Sequence, residues 1–336
     1  MKAALIGLGS VGRGVAEMIA KKNPDITING IADSKSGCIC NEGIDIAAVL
    51  EHKRRTGACG DLAISAMDVI KKANYDVLIE VTPTNALTGE PALGYIKAAL
   101  ARKKHIVTSN KGPIALAYKE LSALAKKKGV ALRYEATVGG AIPIMHTLED
   151  GLNGNEIIAI YGVLNGTCNY ILTRMAAEGL TYEQALMEAR EMGYAEADPT
   201  YDVKGIDAAI KLVILANTIW GDGTKLADVD LTGIDLLTPD ALRLAEEGDC
   251  TIRLIAEAIP GKKILRVSPR LIEKSHPLVV EGTLNALTIE TDMAKEITLT
   301  GRGAGSIETE RHHRRYPVYP RPLWQACLNT GGNTCT

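Results

Sequence analysis

The chain has 336 residues, enough for two domains that each bury a core, and 46% hydrophobic with 23% charged residues is the balance of an ordinary globular protein. A formal net charge of −2 gives no global attraction to DNA or to anionic membranes, so neither is expected as a partner. No apolar stretch reaches the roughly 20 residues of a membrane span, and the first residues enter a strand pattern instead of a signal peptide, which makes a cytoplasmic protein the expectation.

Lys2-Ala-Ala-Leu-Ile-Gly-Leu-Gly9 reads as a buried strand, and residues 11–22 carry the apolar spacing of a helix. Between them Gly7-Leu-Gly9-Ser-Val-Gly12 has the GxGxxG form. Its glycines suit a tight turn, close approach of backbone to a pyrophosphate, and near contact of helix with strand. The helix start adds free N–H groups and a positive dipole end for phosphates. The next strand, 26–32, ends at Asp33, an acceptor for an adenosine ribose, with Lys35 just beyond it to neutralise the extra phosphate of NADP. The choice between NAD and NADP stays open.

Further strands are predicted at 76–81, 105–109 and 130–136, with helices around 65–73, 91–102 and 115–128 between them. This alternation predicts an α/β fold, a Rossmann-type doubly wound parallel sheet covered by helices on both faces. Thr82-Pro-Thr84 and Thr108-Ser-Asn-Lys111-Gly-Pro fall at strand ends, on the carboxyl rim where ligands of such folds collect; a plain turn and a surface lysine are the ordinary alternatives. The cysteines are odd in number, seven, with no CxxC spacing. Cys38, Cys40 and Cys59 lack an evident fourth ligand for a metal.

After about residue 137 the pattern changes to mixed α+β. A strand is predicted at 156–164, then three helices. Thr181 and Gln184 form a capping box for the second, which Gly193 ends, and the third runs from about Lys204 to Trp220. A helix at 239–247 precedes strands at 251–259, 263–271, 285–291 and 296–300, with Pro260-Gly261 marking a turn. Within this half, Gly193-Tyr-Ala-Glu196-Ala-Asp198-Pro leads to Asp202, Asp207 and Lys211. Asp207 and Lys211 stand four apart and so share a helix face. An ion pair on a solvated helix would explain them, but their neighbours are apolar nearly all round, as in a buried helix, where charges must be paired or face a polar cavity.

These segments, together with Ser109-Asn-Lys111, Tyr134-Glu-Ala-Thr-Val-Gly-Gly-Ala-Ile-Pro143, Leu164-Asn-Gly-Thr-Cys-Asn-Tyr-Ile-Leu172 and Gly301-Arg-Gly-Ala-Gly305, stand in the order of the homoserine dehydrogenase family. The chain closely resembles that family over residues 1 to about 309, in its short form without a regulatory ligand-binding domain. The resemblance implies NAD(P)-dependent interconversion of L-homoserine and L-aspartate 4-semialdehyde, in the biosynthesis of threonine, methionine and isoleucine. It also implies a dinucleotide-binding domain over 1–136, a substrate-binding, catalytic and dimerisation domain over 137–300, and a return segment over 301–336. By the same resemblance Lys211 is the acid that protonates the developing alkoxide, a role that suits a lysine whose pKa is lowered by its surroundings. Lys111 is the other active-site lysine. Glu196 and Asp207, with Asp202, are the carboxylates that take the substrate's ammonium group. Val11, Gly12, Thr82, Gly193 and Gly305 line the cofactor with Gly7 and Gly9. Glu135 and the carbonyls of Val138, Gly140 and Ile142 hold a sodium ion, for which oxygen ligands are suited. Family members pair through the second domain, so a homodimer is expected.

Two other readings stay open. Cys168 is the one well-placed candidate for a nucleophile of aldehyde oxidation, which needs a base-activated thiolate. A cofactor-binding sensor or inactive homologue is the non-enzymatic reading, prompted by the end of the chain. There the family continues into an apolar-periodic helix, whereas this sequence reads Glu310-Arg-His-His-Arg-Arg-Tyr-Pro-Val-Tyr-Pro-Arg-Pro, whose prolines exclude a regular helix. An altered reading frame after residue 309 is the hypothesis, against a tail peculiar to this chain. Translating the gene in its other two frames is expected to recover an apolar helix, and two frames without one would dispose of it.

Overall fold

The structure, a computed structural model, describes residues 1–22 and 25–303. They divide into two compact units, Met1–Thr137 and a second that begins at Val138.

The first unit holds strands β1 (Lys2–Ile6), β2 (Thr27–Ala32), β3 (Gly37–Ile39), β4 (Val77–Glu80), β5 (His105–Thr108) and β6 (Leu132–Arg133). They lie side by side in the order β3-β2-β1-β4-β5-β6, all parallel to their neighbours except β3, which runs antiparallel to β2. β1 is covered on both faces, as parallel strands are: Ala3, Ala4 and Leu5 are wholly buried. Ala3 and Leu5 pack with Ala16 and Ile19 of helix α1 (Ser10–Lys22) and Ile46 of α2 (Ile46–Thr56). Ala4 lies on the opposite face, beside Gly30 and close to where Val69 of α3 (Ala66–Lys72) packs. α4 (Ala92–Ala101) and α5 (Lys111–Lys128) complete the unit. The chain leaves β1 for β2 on one side and later resumes at β4 on the other. The carboxyl ends of β1 and β4 therefore flank a topological switch point, where ligands of such sheets bind.

The second unit holds β7 (Ile157–Val163), β8 (Asp230–Leu231), β9 (Cys250–Ile259), β10 (Ile264–Glu273), β11 (Leu284–Thr291) and β12 (Lys295–Arg302), in the order β12-β11-β7-β9-β10-β8. All pairings are antiparallel except that of β8 with β10. Its helices are α6 (Ile144–His146), α7 (Gly166–Glu178), α8 (Tyr182–Glu191), α9 (Thr200–Val203), α10 (Ile206–Ile219) and α11 (Pro239–Glu247). α7, α10 and α11 pack against β9. The Thr181–Gln184 capping box forms as expected.

Four local expectations are corrected. The strand expected at 130–136 is two residues long and gives way to a 3-10 turn, Glu135–Thr137. α5 begins at Lys111, four residues early, because Asn110 caps it and Pro113 falls in the first turn, where a missing N–H costs nothing. The helix expected from about Lys204 is α10 and begins at Ile206, because Gly205, whose φ of 81° is left-handed, separates it from a short helix, α9, that was not expected. β12 runs on to Arg302, so Gly301 and Arg302 belong to a strand of the second unit. Gly305 and the atypical tail lie outside the described residues. No helix among the described residues is long and apolar enough to cross a membrane.

Candidate active site

The loop from β1 to α1 shows what each glycine of the fingerprint does. Gly7 has a φ of 100°, and a Cβ there would lie 2.6 Å from the Val81 carbonyl oxygen and 2.9 Å from Thr82 N. A Cβ on Gly12 would lie 1.9 Å from the Gly7 carbonyl oxygen. Both are demanded by the protein's own packing. A Cβ on Gly9, by contrast, would meet no protein atom within 4 Å. The close approach that a pyrophosphate needs is thus available at Gly9, next to the N–H groups that open α1, where Val11 is 47% exposed despite being apolar. The loop therefore fits a dinucleotide.

Asp33 closes β2 but is heavily engaged. Its Oδ1 accepts from the backbone N–H groups of Lys35 and Ser36, both at 2.8 Å, and from Ser36 Oγ at 3.1 Å, while Oδ2 pairs with Lys53. Burial raises the Asp33 carboxyl, but Lys53 and the two backbone N–H groups outweigh it and hold the group below the usual carboxylate range. Lys35 is exposed. Lys53, on α2, escaped the sequence reading because that helix did.

On the carboxyl rim, Thr82 is half-buried after β4, and Lys111 is the first residue of α5. A cation at this position faces the positive end of the helix dipole, so helix stability does not account for it. Asn110 holds the helix start by accepting from Gly112 N at 3.1 Å.

In the second unit Lys211 lies in the middle of α10, within an unbroken buried run from Asp207 to Asn217. Its side chain is 11% exposed. Nζ donates to Asp207 Oδ2 at 2.8 Å and to the Leu164 carbonyl at 2.5 Å. An ammonium has three donors, and the third has no hydrogen-bond partner among the described residues. Asp207 and Asp202 are brought together by Asn165, whose Nδ2 donates 2.7 Å to Asp202 Oδ1 and 2.9 Å to Asp207 Oδ2. The same Asn165 caps α7, its Oδ1 accepting from Cys168 N at 2.8 Å. Two aspartates against one lysine leave one formal negative charge in excess among these three groups. That suits an entering ammonium group.

Glu196 and Gly193 are exposed, and no hydrogen bond joins Glu196 to Asp202, Asp207 or Lys211. Burial, with Asp202 and Asp207 adding repulsion, pushes the Cys168 thiol well above the ordinary range, which disfavours the thiolate that a cysteine nucleophile needs. Glu135 sits in the 3-10 turn of the first unit, whereas Val138, Gly140 and Ile142 begin the second. Gly139 and Gly140 are both left-handed, and Ile142 N donates to the Gly139 carbonyl at 3.0 Å. Among the described residues no three His, Cys, Asp or Glu side chains are grouped to hold a metal, and this includes Cys38, Cys40 and Cys59.

The glycine geometry separates folding from binding. Gly12→Ala is expected to destabilise the first unit by ~1–3 kcal/mol through overpacking against backbone. Gly9→Ala should leave the thermal midpoint almost unmoved while weakening dinucleotide affinity, as read by titration with reduced dinucleotide. Unchanged affinity in Gly9→Ala would remove the loop from the binding site.

Comparison with known proteins bears on the same residues. The family model described as "Homoserine dehydrogenase, NAD binding domain" matches residues 7–135, and that described as "Homoserine dehydrogenase" matches residues 143–311. A homoserine dehydrogenase of Methanocaldococcus jannaschii is 46% identical over 321 residues, covering 92% of this chain and 95% of its own. An NAD(+)-dependent homoserine dehydrogenase of Pseudomonas canavaninivorans is 37% identical, covering 92% of each. Among solved structures, a protein assigned as a homoserine dehydrogenase in Archaeoglobus fulgidus matches with a TM-score of 0.86 and 47% identity, over 92% of this chain and 95% of that one. A hyperthermophilic archaeal homoserine dehydrogenase in complex with NADPH matches with a TM-score of 0.79 and 30% identity, over 92% and 93%. The reading as a sensor or inactive homologue is not favoured by these relatives, which are named as dehydrogenases. The chain belongs to the homoserine dehydrogenase family, NAD(P)-dependent oxidoreductases.

Proposed function

We propose that the enzyme interconverts L-homoserine and L-aspartate 4-semialdehyde, with Lys211 as the proton donor and acceptor at the substrate oxygen. The observation that carries this is the cluster of buried Lys211, Asp207 and Asn165 with half-buried Asp202, which presents an N–H donor beside a surplus of negative charge. The bound nicotinamide supplies or takes the hydride. In the reducing direction the third N–H of Lys211 gives a proton to the oxygen of the aldehyde as it becomes an alcohol; in the oxidising direction the amine takes that proton back. Asp202, Asp207 and Glu196 hold the substrate's ammonium group, and Lys111 is the second active-site lysine. Gly7, Gly9, Val11, Gly12, Thr82, Gly193 and Gly305 hold the dinucleotide, with Asp33 and Lys35 at its adenosine end, whether NAD or NADP.

A sodium ion at Glu135 and the carbonyls of Val138, Gly140 and Ile142, and a homodimer through the second unit, rest on the resemblance. Equal rates in sodium and choline salts would dismiss the ion, and a light-scattering mass of one chain would dismiss the dimer. A cytoplasmic, biosynthetic role in making threonine, methionine and isoleucine rests on the same ground; rescue of a homoserine-requiring bacterial strain tests it.

Oxidation of L-homoserine, followed separately with NAD+ and NADP+, is the direct assay. Lys211→Ala is expected to slow it at least ~100-fold, the usual scale for acid–base catalysis; near-normal turnover would strip Lys211 of its role. Asn165→Asp keeps a good helix cap yet can donate nothing to Asp202 or Asp207, so it should lower kcat/KM by about 10-fold or more. An Asn165→Asp enzyme as active as wild type would show that the two carboxylates need no clamp.

A further inference from the structure

Glu80, the last residue of β4, is wholly buried, and no part of the proposed chemistry uses it. Its carboxylate is the centre of a closed ring of hydrogen bonds on the carboxyl rim. Oε1 accepts from Thr82 N at 2.9 Å and from the Thr82 hydroxyl. Oε2 accepts from the Thr108 hydroxyl at 2.7 Å. Each hydroxyl, having given its proton to Glu80, turns a lone pair to Asn110: Asn110 N donates to Thr108 Oγ1 at 3.0 Å, and Asn110 Nδ2 to Thr82 Oγ1 at 3.3 Å. Nδ2 also lies 3.1 Å from the Thr82 carbonyl and 3.3 Å from that of Pro83. Asn110 Oδ1 then caps α5, whose first residue is Lys111.

An ionised carboxylate is acceptor-only, and this fixes the direction of every bond in the ring. A neutral amide in its place would present a donor to a group that is itself donating to Glu80, so at least one bond of the ring would be lost or reversed. The ring also reaches the glycine loop, because Gly7 packs against the Val81–Thr82 peptide whose N–H Glu80 holds. Burial pushes the Glu80 carboxyl up, against the hydrogen bonds from Thr82 and Thr108 that favour its charged form. A buried charge with this many aligned donors is costly to install and has a defined orientation to impose.

We infer that Glu80 is a positioning residue that locks the Thr82 loop and the start of α5 together, and so sets the dinucleotide rim and the placement of Lys111. The inference rests on the proposed role of that rim, and its test reads binding as well as turnover. Glu80→Gln, which preserves shape, is expected to raise the dissociation constant of the reduced dinucleotide and to lower kcat, each on the order of 10-fold, the scale of a lost hydrogen bond to a charged group.

Thr108 supplies a milder pair of variants should Glu80→Gln fail to fold. Thr108→Val keeps the volume and removes the hydroxyl; Thr108→Ser keeps the hydroxyl and removes a methyl group. Positioning requires the valine variant to lose affinity and kcat and the serine variant to retain both. The reverse ranking, or wild-type affinity in both Glu80→Gln and Thr108→Val, would overturn the inference. A wild-type protein that binds dinucleotide but does not oxidise homoserine would sink the functional reading, while the affinity shifts would still decide the role of Glu80.

Discussion

The second unit depends on one constraint: a lysine ammonium placed inside a helix that is buried along its length must find its counter-charge there too. Lys211 does so through Asp207, one turn away, and through the Leu164 carbonyl at the end of the strand that precedes α7. Asn165 then ties Asp207 to Asp202. Such a cluster is poor evidence of stability. Replacing a buried ion pair by apolar residues of like volume is often neutral or stabilising by ~1–4 kcal/mol, whereas removing one partner costs about 3–5 kcal/mol. An apolar α10 would have been the easier core. Keeping the charges makes sense where they have chemistry to perform.

The first unit divides its labour differently. Gly7 and Gly12 are required by backbone contacts between the loop, α1 and the end of β4, so the protein needs them whether or not a ligand is bound. Gly9 has no such contact. Two of the three positions of the motif are thus fixed by the protein's own packing, and only the middle one is left open to a ligand.

Much of this was legible in the sequence because it rests on local pattern. The alternation of short apolar runs and helical spacing located β1, β2, β4 and β5 with their helices, and the Thr181–Gln184 box located α8 to within a residue or two. β3 and α2 were missed for physical reasons. Three residues are too few for a period, and α2 buries Ile46 while ending in Lys53, Arg54 and Arg55, so its spacing resembles a charged loop. In the candidate site, Asp207 and Lys211 were legible as a pair because one helix carries both. Asn165 was not, for its partners lie 37 and 42 residues away. Asparagine before a helix is an ordinary cap by residue type, which gives no sign of a second function. Glu80 gave no signal beyond an acid ending an apolar strand.

Asp33 stands at the end of β2 as the sequence implies, in surroundings the sequence does not show. An acid at the end of β2 suggests a ribose acceptor, and here three donors crowd Oδ1 while Oδ2 takes only the Lys53 ammonium. Oδ2 therefore keeps a lone pair for a further donor, and any group that uses it meets the Lys53 ammonium as well. The partner least bound to the local turn is Lys53, twenty residues on, since the Lys35 and Ser36 contacts close the turn itself. The acid at the end of β2 is therefore one half of an Asp33–Lys53 pair whose net charge is near zero, and not an isolated anion.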